Sequence, residues 1–243
     1  MLGNLVRSFY IAKKDLKEYY LKPGTMSWGV VFPIAFTLAF LIRRGGIGVW
    51  LAPGLISMAI FFSSTSMSAV SIVFERKVGS FERLLLFPVS YTCIALGKSL
   101  SSFLFGIVSS LTTVIIAYMI VPVMPSNPLL FILCIILATF HSSTFGVLLA
   151  FLVKDPSQTM TIFNIIRFPM IFLSGIIIPL NGLPLPAKIT SIFLPLTYST
   201  EAIRYSYLGS YDLIPPVLSI CITLLSSLAF LLITSALIEK SIP

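Results

Sequence analysis

The run ERKVGSFERLLLFPVSYTCIALGK, residues 75–98, carries the densest charge between Trp28 and Pro243, and the chain on either side of it is close to continuous hydrocarbon. Long apolar runs interrupted by one charged loop are the pattern of a chain that leaves a lipid bilayer and turns back into it. Locally the loop predicts a short helix. Gly79 can turn the chain, and Ser80 is a fitting N-cap, because its hydroxyl accepts a hydrogen bond from an orphan amide of the first turn. Glu82 then falls in that turn, where a negative charge suits the helix dipole. Phe81, Leu84 and Leu85 share one face, while Pro88 disfavours helix at Phe87 and stops the element. The product is a helix of about two turns, greasy on one side and carrying Glu82 and Arg83 on the other. Local physics leaves two readings of it open: a handle for a partner in water, or an amphipathic loop lying on the membrane surface.

Composition agrees with a membrane setting. Of 243 residues, 57% are hydrophobic and only 10% charged, against about 25% charge in soluble domains, and the mean hydropathy is +1.04. The expected class is an all-α integral membrane protein forming a single domain over residues 1–243. The net charge of +8 does not argue for nucleic acid, because no basic stripe interleaved with aromatics is present and the cytoplasmic flanks of membrane spans collect Lys and Arg. Cys93, Cys134 and Cys221 are scattered in or beside apolar runs, with neither metal-ligand spacing nor a disulfide frame. The first apolar run begins near Thr25, after a charged leader, and ends in Arg43-Arg44 rather than a small-residue cleavage site, so it is expected to remain as a span.

Residues 1–22 precede it. Leu2, Leu5, Phe9, Ala12, Leu16 and Tyr19 recur at helical spacing, with Arg7, Lys14, Lys17 and Glu18 between them, which predicts an amphipathic interfacial helix broken at Pro23-Gly24. Six spans follow, at about 25–42, 49–74, 94–121, 129–153, 159–179 and 215–238. Their loops alternate sides. Arg7, Lys13, Lys14, Lys17, Lys22, Arg76, Lys77, Arg83, Lys98, Lys154 and Lys240 fall on one side, and Arg43, Arg44, Lys188 and Arg204 on the other. The Lys/Arg-rich side is expected to be cytoplasmic, placing both termini and the loop at 75–90 in the cytosol of a multi-pass cell-membrane protein. Ser102, Gly106 and Ser110 in the third span, and Ala138, Ser142, Gly146 and Ala150 in the fourth, set small residues four apart, the spacing that lets helices approach closely in lipid. The serines of the second span (Ser63, Ser64, Ser66, Ser68 and Ser71) read mainly as packing positions rather than a polar pore. Residues 176–214 are too apolar for a water-exposed loop, and Pro179, Pro184, Pro186 and Pro195 cut them into pieces too short to span. They predict short re-entrant helices on the outer side, with Glu201 and Arg204 spaced to pair.

Few residues point to chemistry. Gly97-Lys98-Ser99 imitates the end of a P-loop, but Thr92 stands where the motif needs glycine and no strand precedes it. Lys98 reads instead as a residue snorkelling at the start of the third span, and no ATPase is expected in this chain. His141 is the only histidine, which excludes a multi-histidine metal site within one chain. Arg167 lies with Asn164 on one face of the fifth span. Ionisable groups inside a membrane are costly and mark functional paths, so Arg167, His141 and Asn164 are candidates for a translocation path, against snorkelling or carbonyl bonding as the plain alternative. No Ser/His/Asp set or paired carboxylates appear, so no catalytic, cofactor-binding or metal-binding residue is expected.

Three motifs together carry a family resemblance. The first is Glu75-Arg76, Gly79-Ser80-Phe81-Glu82, Leu84-Leu85, Pro88 and Gly97-Lys98, with Ser80 where threonine is more usual. The second is Leu173-Ser174-Gly175-Ile176 with Pro179 and Leu183-Pro184, and the third is Pro195-Leu196-Thr197-Tyr198 with Glu201-Ala202 and Arg204. In this order the chain resembles the membrane subunit of type-2 ATP-binding-cassette transporters, a class that includes drug, polysaccharide and lipid exporters. The resemblance implies that Glu75, Arg76, Gly79, Ser80, Phe81, Glu82, Arg83 and Pro88 form a coupling element seated on a separate ATPase subunit. It implies that Pro179, Pro184, Pro195, Tyr198, Glu201 and Arg204 belong to an outer gate. It implies two ATP-binding subunits holding ATP and Mg, and a second permease chain, identical or closely related. Arg167 and His141 match no family motif. The expected function is export of a hydrophobic or amphipathic compound, a drug or a lipid-linked glycan. An ATP-independent channel or secondary carrier is the rival, and a membrane-embedded enzyme is disfavoured by the lack of a catalytic cluster.

Overall fold

A computed structural model describes residues 2–42, 48–120, 122–153, 155 and 157–240, with the backbone alone at 2–5, 24, 28, 40–42 and 48. Arg43, Arg44 and Lys154 lie outside the described residues. Every regular element among the described residues is helical. Helix α1 spans Leu2–Tyr19. After a turn, α2 (Pro23–Met26), a π-helical turn (Ser27–Val31) and α3 (Phe32–Ile42) follow without a break. Then come α4 (Gly48–Lys77), α5 (Ser80–Leu85), α6 (Tyr91–Ile120), α7 (Pro128–Leu152) and α8 (Thr159–Leu173). A 3-10 turn at Leu180–Gly182 leads into α9 (Leu185–Phe193), α10 (Pro195–Leu208) and α11 (Pro216–Lys240).

Four helices are long and apolar enough to cross a membrane: Val49–Lys77, Tyr91–Ile120, Pro128–Leu152 and Pro216–Lys240. The two remaining expected spans are shorter apolar helices by this measure, Gly29–Ala39 and Thr159–Leu173. The expected span at 159–179 is therefore six residues too long. Its helix stops at Leu173, because Gly175 takes a left-handed φ of 75° and the chain turns there.

Helix α4 is the axis of the bundle. Its apolar window is entirely buried, as a helix apolar on all sides must be when other helices surround it. It packs on α3, α6, α7, α8 and α10. Three of its serines close their hydroxyls on the backbone one turn back, Ser57 on Pro53 O (2.8 Å), Ser63 on Ala59 O (2.7 Å) and Ser68 on Ser64 O (3.0 Å), while those of Ser64 and Ser66 are buried without a partner among the described residues. Ser68 also meets Ser102 of α6 at 2.7 Å. Gly146 of α7 lies so close to α4 that a Cβ there would stand 2.8 Å from the Thr65 Cα. Small residues at the crossings thus let three backbones converge, and dispersion between them replaces the hydrophobic drive that lipid cannot supply.

Helix α1 lies along α6. Its buried stripe is Ser8, Ile11, Ala12, Asp15 and Tyr19. The expected apolar face was turned differently, since Phe9 is 57% exposed. The rotation has two causes: Ser8 Oγ donates to Cys93 O at 2.9 Å, and Asp15 has a buried cation to meet on α6.

The clusters around α4 set the two ends of the bundle. Ala69 and Ile72 share a core with Phe81 of α5 and Phe151 at the end of α7. Ala52 and Ile56 share another with Ala202, Ile203 and Tyr207 of α10. Positions 52 and 72 are separated by about 30 Å of helix, so α5 and α10 mark opposite ends.

Candidate functional site

At the α5 end, α4 runs out through Glu75-Arg76-Lys77. The Gly79 amide closes on Arg76 O at 3.4 Å, and Gly79 adopts a left-handed φ of 67°. That one residue ends α4 and caps α5, which reverses the chain in the space of a single glycine. Ser80 is therefore not the N-cap expected of it. It is the first helical residue, and its hydroxyl reaches back to Glu75 O at 3.4 Å.

Beneath this turn sits a buried ion cluster. Lys98 Nζ donates to Asp15 Oδ1 and Oδ2 at 3.0 and 2.9 Å and to Glu75 Oε2 at 2.5 Å. Lys14 pairs with Glu75 Oε1 and lies 3.8 Å from Asp15 Oδ1. The side chains of Asp15, Glu75 and Lys98 have no exposed surface. Lys98 is thus not a snorkelling residue: two carboxylates from α1 and α4 outcompete the lipid headgroups for it. Two acids and two lysines balance in charge, and three helices are pinned at one point. Burial pushes the Asp15 carboxyl up to about 6 from its usual 3.8, and the Lys98 charge offsets only part of that.

Over the cluster, α5 shows two faces. Phe81 is buried against Phe151, ring centroids 5.2 Å apart, with Leu84 and Leu85 half-buried beside it. Arg76 Nη1 donates to Val153 O (2.9 Å) and Ala150 O (3.3 Å), tying α4 to the end of α7. Glu82, Arg83 and Pro88 are exposed. Arg7 of α1 donates to Pro88 O at 2.5 Å and is exposed beside them. Of the eight residues expected to form this element, Glu82, Arg83 and Pro88 face outward, Gly79, Ser80 and Arg76 are half-buried, and Phe81 and Glu75 are inside.

The opposite end is held by a second ion cluster. Pro179 precedes the 3-10 turn, Pro184 precedes α9, and Pro195 opens α10, where a missing amide hydrogen costs nothing. Arg204 Nη1 donates to Glu201 Oε1 (2.7 Å) and Asp212 Oδ2 (3.0 Å), Nη2 donates to Gly175 O, and the guanidinium carbon lies 4.4 Å from the Trp50 ring centroid. Glu201 Oε2 accepts the amides of Asp212 (2.8 Å) and Leu213 (3.1 Å). Tyr198 Oη donates to Ile192 O at 2.7 Å, bracing α10 on α9.

The three candidates inside the bundle do not form one group. His141 of α7 faces α11, with Nδ1 3.2 and 3.3 Å from the hydroxyls of Ser226 and Ser227. Arg167 and Asn164 are on α8, and Arg167 faces α4, its guanidinium carbon 5.3 Å from the Phe62 centroid and 4.9 Å from that of Phe163. Sequence reasoning missed Asp15, Lys14, Asp212 and Trp50. Asp15 left a signal: it falls with Ser8, Ile11, Ala12 and Tyr19 at steps of three and four, and a carboxylate on a buried stripe requires an internal cation. Asp212 left none, because a loop has no periodicity.

Comparison with known proteins places these features in a family. Residues 7–208 match the family described as ABC-2 type transporter. The chain is 23% identical over 215 residues to a protein of Cyanophora paradoxa named as a transport permease, ycf38, covering 82% of this chain and 73% of that one. It is 23% identical over 204 residues to the ycf38 transport permease of Porphyra purpurea, covering 78% and 70%. It is 27% identical over 157 residues to ABC transporter G family member 20 of Dictyostelium discoideum, covering 64% of this chain and 21% of that protein. A match across most of the chain, on a bundle of long apolar helices, means that the chain belongs to the ABC-2 type transporter family, as its membrane-embedded permease component.

Proposed function

We propose that this chain is the membrane half of an ATP-driven exporter and that α5 is where a separate ATP-binding subunit grips it. The observation that carries the reading is the two-sidedness of α5. Phe81 is buried in the bundle, Glu82 and Arg83 point outward, and the helix stands on the Asp15–Lys98–Glu75 cluster. A push on the exposed face then reaches α1, α4 and α6 together, because buried ion pairs resist separation by several kcal/mol. On this reading α2–α3 and α8 complete six crossings, and α5, α1 and the C-terminus face the cytosol. The short helices α9 and α10 lie on the outer side, where Pro179, Pro184, Pro195, Tyr198, Glu201 and Arg204 shape the exit. Two such chains and two ATP-binding subunits make the working unit. ATP and Mg stay on those subunits, and the cargo is a hydrophobic or amphipathic compound.

Gentle affinity purification of the chain from its native membrane tests this. A stoichiometric ATP-binding subunit is expected to accompany it, and to be lost when Glu82→Lys and Arg83→Glu are combined. Recovery of the chain alone in several mild detergents, still folded, would overturn the reading.

A further inference from the structure

Arg167 is 1% exposed, and its Nε, Nη1 and Nη2 have no hydrogen-bond partner among the described residues. Asn164, one turn away on the same helix, has its Oδ1 buried and equally without a partner. The two aromatic faces of Phe62 and Phe163 hold the guanidinium by cation–π attraction. They leave its in-plane N–H groups unmet, and a buried ion without a counter-charge is strongly disfavoured. By contrast, Arg204 satisfies Nη1 and Nη2 on two carboxylates and a carbonyl.

No acidic side chain of this chain, nor of a second copy of it, supplies the missing counter-charge. All eight acidic residues lie toward the ends of the bundle. Asp15, Glu18, Glu75, Glu82, Asp155 and Glu239 belong to the α5 end, and Glu201 and Asp212 to the α10 end. Arg167 stands eight residues into α8, about 12 Å along its axis. A copy related by a two-fold axis along the membrane normal presents its residues at the same depths, and so brings no carboxylate to this level. What remains is an anion that enters the bundle from outside the protein. Aromatic rings cluster beside the position. Phe32 of α3 meets Phe62 and Phe168 at centroid distances of 4.7 and 6.3 Å, and Phe168 on α8 is itself partly exposed.

We propose that Arg167 and Asn164 form an intramembrane site for the anionic group of an amphiphilic cargo, a phosphate ester with a neighbouring hydroxyl. The planar guanidinium takes two phosphoryl oxygens side by side, and the Asn164 carbonyl accepts from the ester's own hydroxyl or an adjacent sugar hydroxyl. The proposal rests on the export reading for the word cargo, but the binding site itself stands on the geometry of α8.

Dodecyl phosphate titrated into the full chain in phosphatidylcholine nanodiscs provides the test, read as melting temperature. A saturable rise is expected for the wild type, with decyl glucoside and inorganic phosphate giving none. Arg167→Met is expected to lose roughly tenfold or more in affinity and to melt no lower than the wild type without ligand, because it removes an unpaired buried ion. Asn164→Leu, which keeps the charge, is expected to weaken binding several-fold and decides the matter if Arg167→Met fails to fold. Equal binding of dodecyl phosphate by wild type and variants, or an equal response to decyl glucoside, would overturn the site. Equal binding of inorganic phosphate would overturn its assignment to an amphiphile. Co-purification of an ATP-binding subunit without Arg167-dependent binding leaves the export reading and removes this one; binding without such a subunit does the reverse.

Discussion

Lys98 shows how one buried cation organises a membrane protein's edge. It spans Asp15 and Glu75, on two different helices, with nothing exposed. Removing one partner of a buried pair leaves charges without compensation, at about 3–5 kcal/mol. Lys98→Met is therefore expected to lower the melting temperature sharply in detergent, whereas Lys77→Met, at the exposed end of the same loop, leaves it unchanged. A cost below about 1 kcal/mol would mean that the cluster does not pin the three helices. Asp15 adds a pH dependence. Its proton is held more tightly in the folded chain, at about 6 against the usual 3.8. The stability it contributes is therefore complete below the lower value and is lost as pH rises through about 6. Asp15→Asn is expected to flatten the wild-type slope of melting temperature between about pH 4 and 7. A slope unchanged in the variant would assign the dependence to another group. Asp15 left a trace in the sequence, three and four residues from Ile11, Ala12 and Tyr19, but the apolar stripe expected through Phe9 and Leu16 passed it by. Lys98 was visible only as a charge at a helix start, because nothing local shows which way a lysine points.

At the scale of elements, close helix crossings depend on absent side chains. The α4–α7 crossing places Gly146 against Thr65, with only 2.8 Å from a Cβ to the Thr65 Cα. Backbone cannot yield as a flexible side chain does, so Gly146→Val must part the helices. The expected cost is about 2 kcal/mol or more, read as a lower melting temperature. The control is Ala138→Ser, a small change on the same register. Equal behaviour of the two variants would show that the crossing is loose. The small-residue registers were readable from spacing alone, since four-residue steps line one face of any helix. The end of α8 was not. Its apolar composition continues past Leu173, and only the turn at Gly175, whose carbonyl is held by Arg204, shows why the helix stops. The cap of α5 is a similar case, since a glycine with positive φ displaces the serine that composition favours.

The whole molecule has two polar ends joined by an apolar bundle. The orientation proposed above makes a direct prediction. Arg83→Cys, on α5, is expected to react with a membrane-impermeant maleimide only after the cell membrane is opened. Gly182→Cys is expected to react in intact cells, and at Gly182 a new Cβ meets nothing within 4 Å. The reverse pattern would turn the molecule over. Composition and hydropathy by themselves determined a membrane protein of helices, the charged loop at 75–98 and the small-residue crossings, because each is a property of local spacing or of transfer from water to lipid. Only the tertiary structure decided that Glu75 faces inward while Glu82 faces outward. It alone decided that Asp15 and Lys98, 83 positions apart, meet in a buried ion pair, and that Arg167 meets aromatic faces and, among the described residues, no hydrogen-bond partner. Those facts depend on which helix lies beside which, and a charge's partner is chosen by distance in space rather than by distance along the chain.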